Sequence, residues 1–287
     1  MAQNNYLVEN TEDGQETWQK LDITNDFLFN KIMENPEICK QLLEAVLEVK
    51  IERIEYPQSQ KSIRLQAEGK GVRLDVYIAD EKRTVYNVEM QSQNTCELPL
   101  RSRYYQGIID MDIISKGDGY DKLHASYVIF ICTFDLFGKG LYKYTFENRC
   151  VEDNSVVLGD KTCKIFLNAK GILEDANEDI RAFLQYVDGR ESDNALVQAV
   201  KNEAKVVKNN ENWRSEFMMQ HMRDQLKYQE GIEQGIQQGR EEGRIVGSIE
   251  MARELNVPEE VLVEQLMKKF ELSKEKALEY IQVYFQV

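Results

Sequence analysis

Two acidic side chains stand where acids are uncommon. Asp75 interrupts the strand-like run Val72-Arg73-Leu74-Asp75-Val76-Tyr77-Ile78, and Glu89 lies in a second such run, Thr84-Val85-Tyr86-Asn87-Val88-Glu89-Met90-Gln91. Asp is depleted from strands, so its place in an apolar run calls for a reason. A turn centred on Glu81-Lys82-Arg83 would close the two runs into an antiparallel pair and set residue 75 opposite residue 89. Directly opposed Cβ atoms in such a pair are roughly 4.5–5.5 Å apart, and like charges there destabilise the sheet. A divalent cation between the two carboxylates removes the repulsion. The register is sensitive to a change of one residue in turn length.

Other site chemistries find less support. The chain has two histidines, His124 and His221, far apart in the sequence, so a histidine-based triad or metal site is not expected. Its five cysteines are odd in number and form no C-x-x-C pair, which argues against a disulfide framework or a zinc site. A metal would therefore rest on carboxylate oxygens, which suit hard ions such as Mg²⁺ or Mn²⁺.

The elements that must position these acids can be read from periodicity. Apolar residues at helical spacing (Phe27, Leu28, Ile32, Met33, then Ile38, Leu42, Leu43, Val46, Leu47) predict two packed helices between Asn25 and Glu48, with Pro36 starting the second. Strands are expected at about Ile51–Tyr56, Val72–Ile78 and Thr84–Gln91, and a helix over Leu98–Ser115. The run Tyr127-Val128-Ile129-Phe130-Ile131 predicts a strand buried on both faces within Ser126–Thr133. Shorter strands near Tyr142–Phe146 and Lys164–Asn168 extend the sheet. Beyond Gly171 only helices are expected: two over 176–209, a long one from Asn212 towards Leu255, and a hairpin of Pro258–Phe270 and Ser273–Phe285. The domain boundaries that follow are 20–171 for the core, 172–255 for a helical region and 256–287 for the hairpin.

The long helix carries the one repeat, Gly231, Gly235, Gly239, Gly243 and Gly247. Each interior glycine costs a helix roughly 0.5–1 kcal/mol relative to alanine. One reading is a solvated connector. The other is close approach of a second helix along the glycine face, with Ile232, Ile236, Ile245 and Ile249 beside it, which makes this segment the expected homodimer contact.

At 287 residues the chain has a formal net charge of -14. An acidic body repels phosphate backbones, which weighs against a nucleic-acid partner. Local basic positions (Lys61, Arg64, Lys70, Arg73, Arg101, Arg103) nevertheless flank the paired acids in sequence and suit a positive groove. The start Met1–Lys20 is polar and acidic, without the pattern of a secretory signal, and the longest apolar run, Ala125–Cys132, is too short to span a bilayer. A cytoplasmic protein without membrane contact is expected.

An Asp on one strand followed by Glu-x-Gln on the next resembles the PD-(D/E)XK nuclease superfamily, with Gln in place of its usual Lys. The chain closely resembles one branch of it, the Rpn-like family of recombination-promoting nucleases and transposases. The likeness rests on Thr24-Asn25-Asp26-Phe27-Leu28-Phe29-Asn30-Lys31-Ile32-Met33, Gly71-Val72-Arg73-Leu74-Asp75-Val76-Tyr77, Asn87-Val88-Glu89-Met90-Gln91-Ser92, the stretch Arg101-Ser102-Arg103-Tyr104-Tyr105, and the glycine repeat. It implies an α/β fold, a restriction-endonuclease-like mixed sheet flanked by helices, followed by an all-α C-terminal region. It also implies that Asp75, Glu89 and the Met90 carbonyl hold Mg²⁺ or Mn²⁺, and that Gln91 stands where the lysine positions the attacking water. Gln supplies neither a positive charge nor a proton of the lysine type, which puts the rate in doubt.

A further acid on the first helix often completes such sites. Asp26 is the first candidate, with a helix N-cap or first-turn acid as its structural alternative. Glu44 is the second, better read as a surface residue. Arg73, Arg101 and Tyr104 are candidates for contact with the nucleic acid, and a structural tie between helix and strand is the alternative for Arg101 and Tyr104. The function expected is therefore a metal-dependent DNA endonuclease in recombination, mobile-element activity or defence. Its rival is a catalytically inactive nuclease-fold scaffold or DNA-binding oligomer, and an RNA-directed nuclease shares the chemistry.

Overall fold

The computed structural model of the chain describes residues 17–55, 62–63, 72–73 and 76–284. Asp75 and most of the segment before it lie outside the described residues, and so does the expected strand tip at Tyr56.

Two helices open the fold as the apolar spacing expects. The first, α1 (Asp26–Met33), is capped by Asn25, whose side chain accepts from the Leu28 N–H at 3.1 Å. Asn35 caps the second, α2 (Pro36–Leu47), by accepting from the N–H groups of Glu37 and Ile38, and Pro36 occupies the first turn, where its missing N–H costs nothing. Glu48 ends α2 in the left-handed region at φ 57°.

A six-stranded mixed sheet follows, built from β1 (Ile54–Glu55), β4 (Val76–Asp80), β5 (Val85–Gln91), β6 (Ser126–Cys132), β7 (Lys143–Phe146) and β8 (Thr162–Asn168) in the order β1-β4-β5-β6-β8-β7. Strands β2 (Ser62–Ile63) and β3 (Val72–Arg73) form a separate ribbon. Of the strand expected over Val72–Ile78, Val72 and Arg73 pair in the ribbon and Val76–Ile78 pair in the main sheet, while residues 74–75 lie outside the described residues.

The β4–β5 hairpin has the register that the turn chemistry demands. Val76 pairs with Val88, Tyr77 with Asn87, Ile78 with Tyr86 and Ala79 with Val85. Asp80 holds the turn: its Oδ1 accepts from the N–H groups of Lys82 and Thr84, and its Oδ2 accepts from the Tyr86 hydroxyl at 2.8 Å. Arg83, at φ 63°, supplies the left-handed residue that closes the loop. Next to this hairpin, β5 runs parallel to β6, with Asn87, Glu89 and Gln91 abreast of Val128, Phe130 and Cys132.

Helix α3 (Leu98–Ile113) covers one face of the sheet, where Leu98, Tyr105 and Ile109 pack with Tyr77, Val85, Val128, Phe130, Cys132 and Phe166. On β5 the side chains alternate, so Tyr86, Val88 and Met90 face the other way, and α1 packs on that strand. Tyr86 stacks on Tyr127 of β6 with ring centroids 5.5 Å apart.

Helices α4 (Glu178–Val187) and α5 (Ala195–Lys208) follow, then α6 (Glu211–Glu254), α7 (Glu259–Phe270) and α8 (Lys274–Tyr284). The chain divides into two compact units between Phe217 and Met218. In the first, Phe217 at the start of α6 joins Trp18 and Phe27 in an aromatic cluster with centroids 5.3 and 5.5 Å from its own. In the second, Ile245, Ile249 and Ala252 of α6 pack with Leu262, Leu266, Phe270, Ala277 and Ile281. Every residue from 222 to 244 is exposed. Among the described residues, no helix is long and apolar enough to cross a membrane.

Candidate active site

The sequence alternation of β5, taken alone, fits a strand with its polar side in water. The structure overturns that reading. Asn87 and Glu89 are 0 and 1% exposed, because α3 folds over the polar face as well. A buried carboxylate must be paired or hydrogen-bonded, and Glu89 is both. Its Oε2 accepts from Nη2 of Arg101 at 2.9 Å, and its Oε1 accepts from the Asn87 amide at 3.2 Å.

Arg101 reaches the strand from the first turn of α3 and ties several groups together. Its Nη1 donates to Gln91 Oε1 at 2.9 Å, and its Nη2 also lies 2.9 Å from the Tyr105 hydroxyl. The guanidinium lies over the rings of Tyr105 and Phe130, 5.4 and 5.7 Å from their centroids, a geometry that an aromatic face favours for a cation. Arg101 carries no acceptor, so only the oxygen of the Gln91 carboxamide can face it. That fixes the other end: Gln91 Nε2 points to the Met90 carbonyl at 2.9 Å and to Glu89 Oε2 at 3.4 Å.

The same face carries Cys132, whose thiol burial pushes up to about 12, against the opposite pull of the Arg101 charge. Tyr77 donates to Asp112 of α3 at 3.0 Å, and burial, with the neighbouring carboxylate, raises its phenol well above the usual range.

Asp26 stands on the other side of the β5 tip. It lines a cleft of about 300 Å³ together with Thr24, Asn25, Met90, Gln91, Ser92 and Thr95. Its Oδ1 also accepts from the Phe27 N–H at 2.9 Å, the contact of a first-turn acid. Both readings of this residue therefore have a structural counterpart. Glu44 has a different job, accepting from the Ile51 N–H at 2.8 Å and so fastening the chain after α2. Tyr104 is 38% exposed on α3, while its neighbour Tyr105 turns in to Arg101. The side chain of Arg73 is not among those described, and its backbone pairs with Ser62 in the separate ribbon.

Of the expected site residues, the structure brings together Glu89, Met90, Gln91 and Arg101, with Asp26 across the cleft from Met90 and Gln91. Asn87 and Tyr105 belong to the constellation and were not singled out by sequence. Their signals were available: Asn87 precedes Glu89 by two on a strand, and Tyr105 follows Arg101 by four on a helix.

Among the described residues, no group of three or more His, Cys, Asp and Glu side chains is placed to hold a metal ion. The donors that are described, the Glu89 carboxylate and the Met90 carbonyl, are hard oxygens of the kind a Mg²⁺ ion takes. Asn87 Oδ1 adds a buried oxygen with no hydrogen-bond donor in the structure, directly beside that carboxylate. The donor chemistry fits a hard divalent cation.

The family model of PD-(D/E)XK nuclease family transposases matches residues 23–231. The chain belongs to that family. The match starts just before the Asn25 cap, takes in the whole sheet and ends at Gly231, the first glycine of the repeat. Comparison with curated proteins and with solved structures gives no match. As a PD-(D/E)XK nuclease family member the chain has a restriction-endonuclease-like sheet, and its position 91 is a glutamine held by an arginine from the adjoining helix.

Proposed function

We propose that the chain is a metal-dependent DNA endonuclease that hydrolyses phosphodiester bonds, acting in recombination, mobile-element activity or defence. The observation that carries this reading is the buried Glu89, aligned with Gln91 on one face of β5 in a chain of this nuclease family. Asp75 and Glu89, with the Met90 carbonyl, are the residues that would hold Mg²⁺ or Mn²⁺. When bound, such an ion lowers the pKa of a coordinated water and neutralises charge developing on the phosphate.

The protein groups do the positioning. Gln91 Nε2 offers an N–H to an incoming water, and Asp26 sits across the cleft as a further oxygen ligand or base. Arg73 offsets the negative backbone of the nucleic acid, a local need in a chain whose formal net charge is -14, the neutral Tyr104 offers it a ring face and a hydroxyl, and Arg101 works within the site through Glu89 and Gln91. A cytoplasmic setting and a homodimer through the Gly231–Gly247 segment complete the proposal. Two sites in one dimer would cut both strands of a duplex. Support for the dimer comes from the exposed Leu226, Ile232 and Ile236 on the bare stretch of α6. Sedimentation of a chain ended at Glu230 against the full chain tests it, because this cut keeps Phe217 in its aromatic cluster. Two monomers would refute the dimer.

One observation favours the rival, a nuclease-fold scaffold without activity: Glu89 is already neutralised by Arg101. Supercoiled plasmid incubated with Mg²⁺ or Mn²⁺ separates the two. Nicking that EDTA, Asp75→Ala and Glu89→Ala each abolish supports the enzyme. Nicking that survives all three is contamination, and no nicking by the intact protein supports the scaffold. Replacing the plasmid by single-stranded RNA tests the RNA-directed alternative.

A further inference from the structure

The lysine implied by the family name does two things at once: it presents an N–H donor beside the carboxylates, and it carries a fixed positive charge. In this chain position 91 is a glutamine, which keeps the donor and lacks the charge. Gln91 presents the donor, since its Nε2 is the end turned to Glu89 Oε2 and the Met90 carbonyl. The charge comes from Arg101, 2.9 Å from both Glu89 Oε2 and Gln91 Oε1.

We propose that the lysine's work is divided here between Gln91 and Arg101, the glutamine as donor and the arginine as the fixed cation that also sets the glutamine's orientation. The proposal rests on the nuclease reading. Three features of the site support it. Arg101 can contact Gln91 only through the carboxamide oxygen, so the contact dictates which end of Gln91 meets Glu89. A guanidinium stays protonated throughout the working pH range, so the charge is permanent. Finally, its side chain is 31% exposed and its Cζ lies 5.4 and 5.7 Å from the ring centroids of Tyr105 and Phe130, so the charge is held in a partly dehydrated place where it acts more strongly than in water.

Arg101 is on this account a positioning residue, and its loss must be repaired by a lysine at position 91. Plasmid nicking is measured in parallel for the intact protein, Glu89→Ala, Arg101→Gln, Arg101→Lys and the double variant Arg101→Gln/Gln91→Lys, with a thermal melt of each. The expected result is a fall in kcat of about 100-fold for Arg101→Gln with KM for plasmid little changed, the scale seen when one electrostatic contact to a reacting centre is lost. Arg101→Lys keeps the charge and should stay within about tenfold of the intact protein, and the double variant should regain about tenfold or more over Arg101→Gln.

Arg101→Gln with unchanged kcat overturns the division of labour. So does a loss confined to KM, which would make Arg101 a phosphate contact, or a folded double variant no faster than the single. A purely structural Arg101 would lower the melting temperature in both the single and double variants, with no recovery by Lys at 91. Failure of the nuclease reading looks different: the intact protein then cuts no better than Glu89→Ala.

Discussion

Arg101 and Glu89 meet at 2.9 Å across the junction of α3 and β5, with Met90–Gln91, the Ser92–Glu97 connection and Leu98–Leu100 between them in the chain. The junction explains why the pair is close. Strand β5 ends at Gln91, the chain turns through a left-handed Cys96 (φ 58°), and α3 starts at Leu98 with Pro99 in its first turn. Folding back in this way drops the first turn of α3 onto the polar face of the strand it has just left. A carboxylate sealed at 1% exposure then needs a local cation, and position 101 provides it.

Removing that carboxylate should cost stability as well as activity. Glu89→Ala removes the 2.9 Å contact of the Arg101 guanidinium with Glu89, and the partial exposure of Arg101 lets water offset some of the loss. We expect a destabilisation of about 1–3 kcal/mol, read from urea melts. Since the pair is largely shielded from solvent, the difference between Glu89→Ala and the intact protein should change little between low and high salt. A difference that vanishes at high salt would mean a surface pair.

The hairpin turn makes a second prediction. Asp80 satisfies two backbone N–H groups and the Tyr86 hydroxyl from inside the protein, so Asp80→Ala strands three donors. The expected cost is about 2–4 kcal/mol, from roughly 1–3 kcal/mol for each buried donor left unpaired and partial relaxation of the loop. Asp80→Asn keeps an acceptor for the two N–H groups and should lose much less. Because this turn sets the register that carries β4 past β5, Asp80→Ala should also reduce nicking, with a melting temperature that falls in step.

Much of this architecture was legible in the residues. Pro36 at the start of α2, the buried run of β6 and the turn at Glu81-Lys82-Arg83 are local signals, and each led to the element it announced. What local signals cannot carry is which face a later element covers. Asn87 and Glu89 alternate with apolar residues as an exposed strand would, and only the packing of α3 turns that polar face into an interior. For the same reason Arg101 read equally well as a phosphate contact or a tie to the sheet. The pairing of Val72 and Arg73 with the separate ribbon was hidden too, since the run 72–78 is apolar on both sides of Asp75.

Alkaline pH supplies a third prediction, with a definite sign. The Cys132 thiol is raised from an ordinary 9.0 to about 12 by burial, so above pH 9 the unfolded chain releases a proton that the folded chain retains. The stabilisation is fully present below pH 9 and is lost as pH rises towards 12, at up to about 1.4 kcal/mol per pH unit. Tyr77 and Tyr86, also raised by burial, act in the same direction from pH 10 upward. Urea melts should show stability declining between pH 9 and 11, and Cys132→Val should flatten the early part of the decline. A Cys132→Val profile that superimposes on that of the intact protein would remove Cys132 as the cause.

The glycine repeat gives a prediction that separates its two readings. Among the described residues, a Cβ built on Gly231, Gly235, Gly239, Gly243 or Gly247 meets no atom within 4 Å apart from the adjoining residues and backbone of its own helix. A solvated single helix should therefore welcome alanine, at roughly 0.5–1 kcal/mol gained per site. A second helix seated on the glycine face would instead be pushed away by the added methyls, because small residues serve such contacts by letting backbones approach closely. If the segment is the homodimer contact, Gly235→Ala/Gly239→Ala should keep or increase the helical circular dichroism signal and shift the sedimentation equilibrium towards monomer. Alanine that raises helix stability with no change in association would leave α6 a solvated connector, and any dimer would then have to form through another surface.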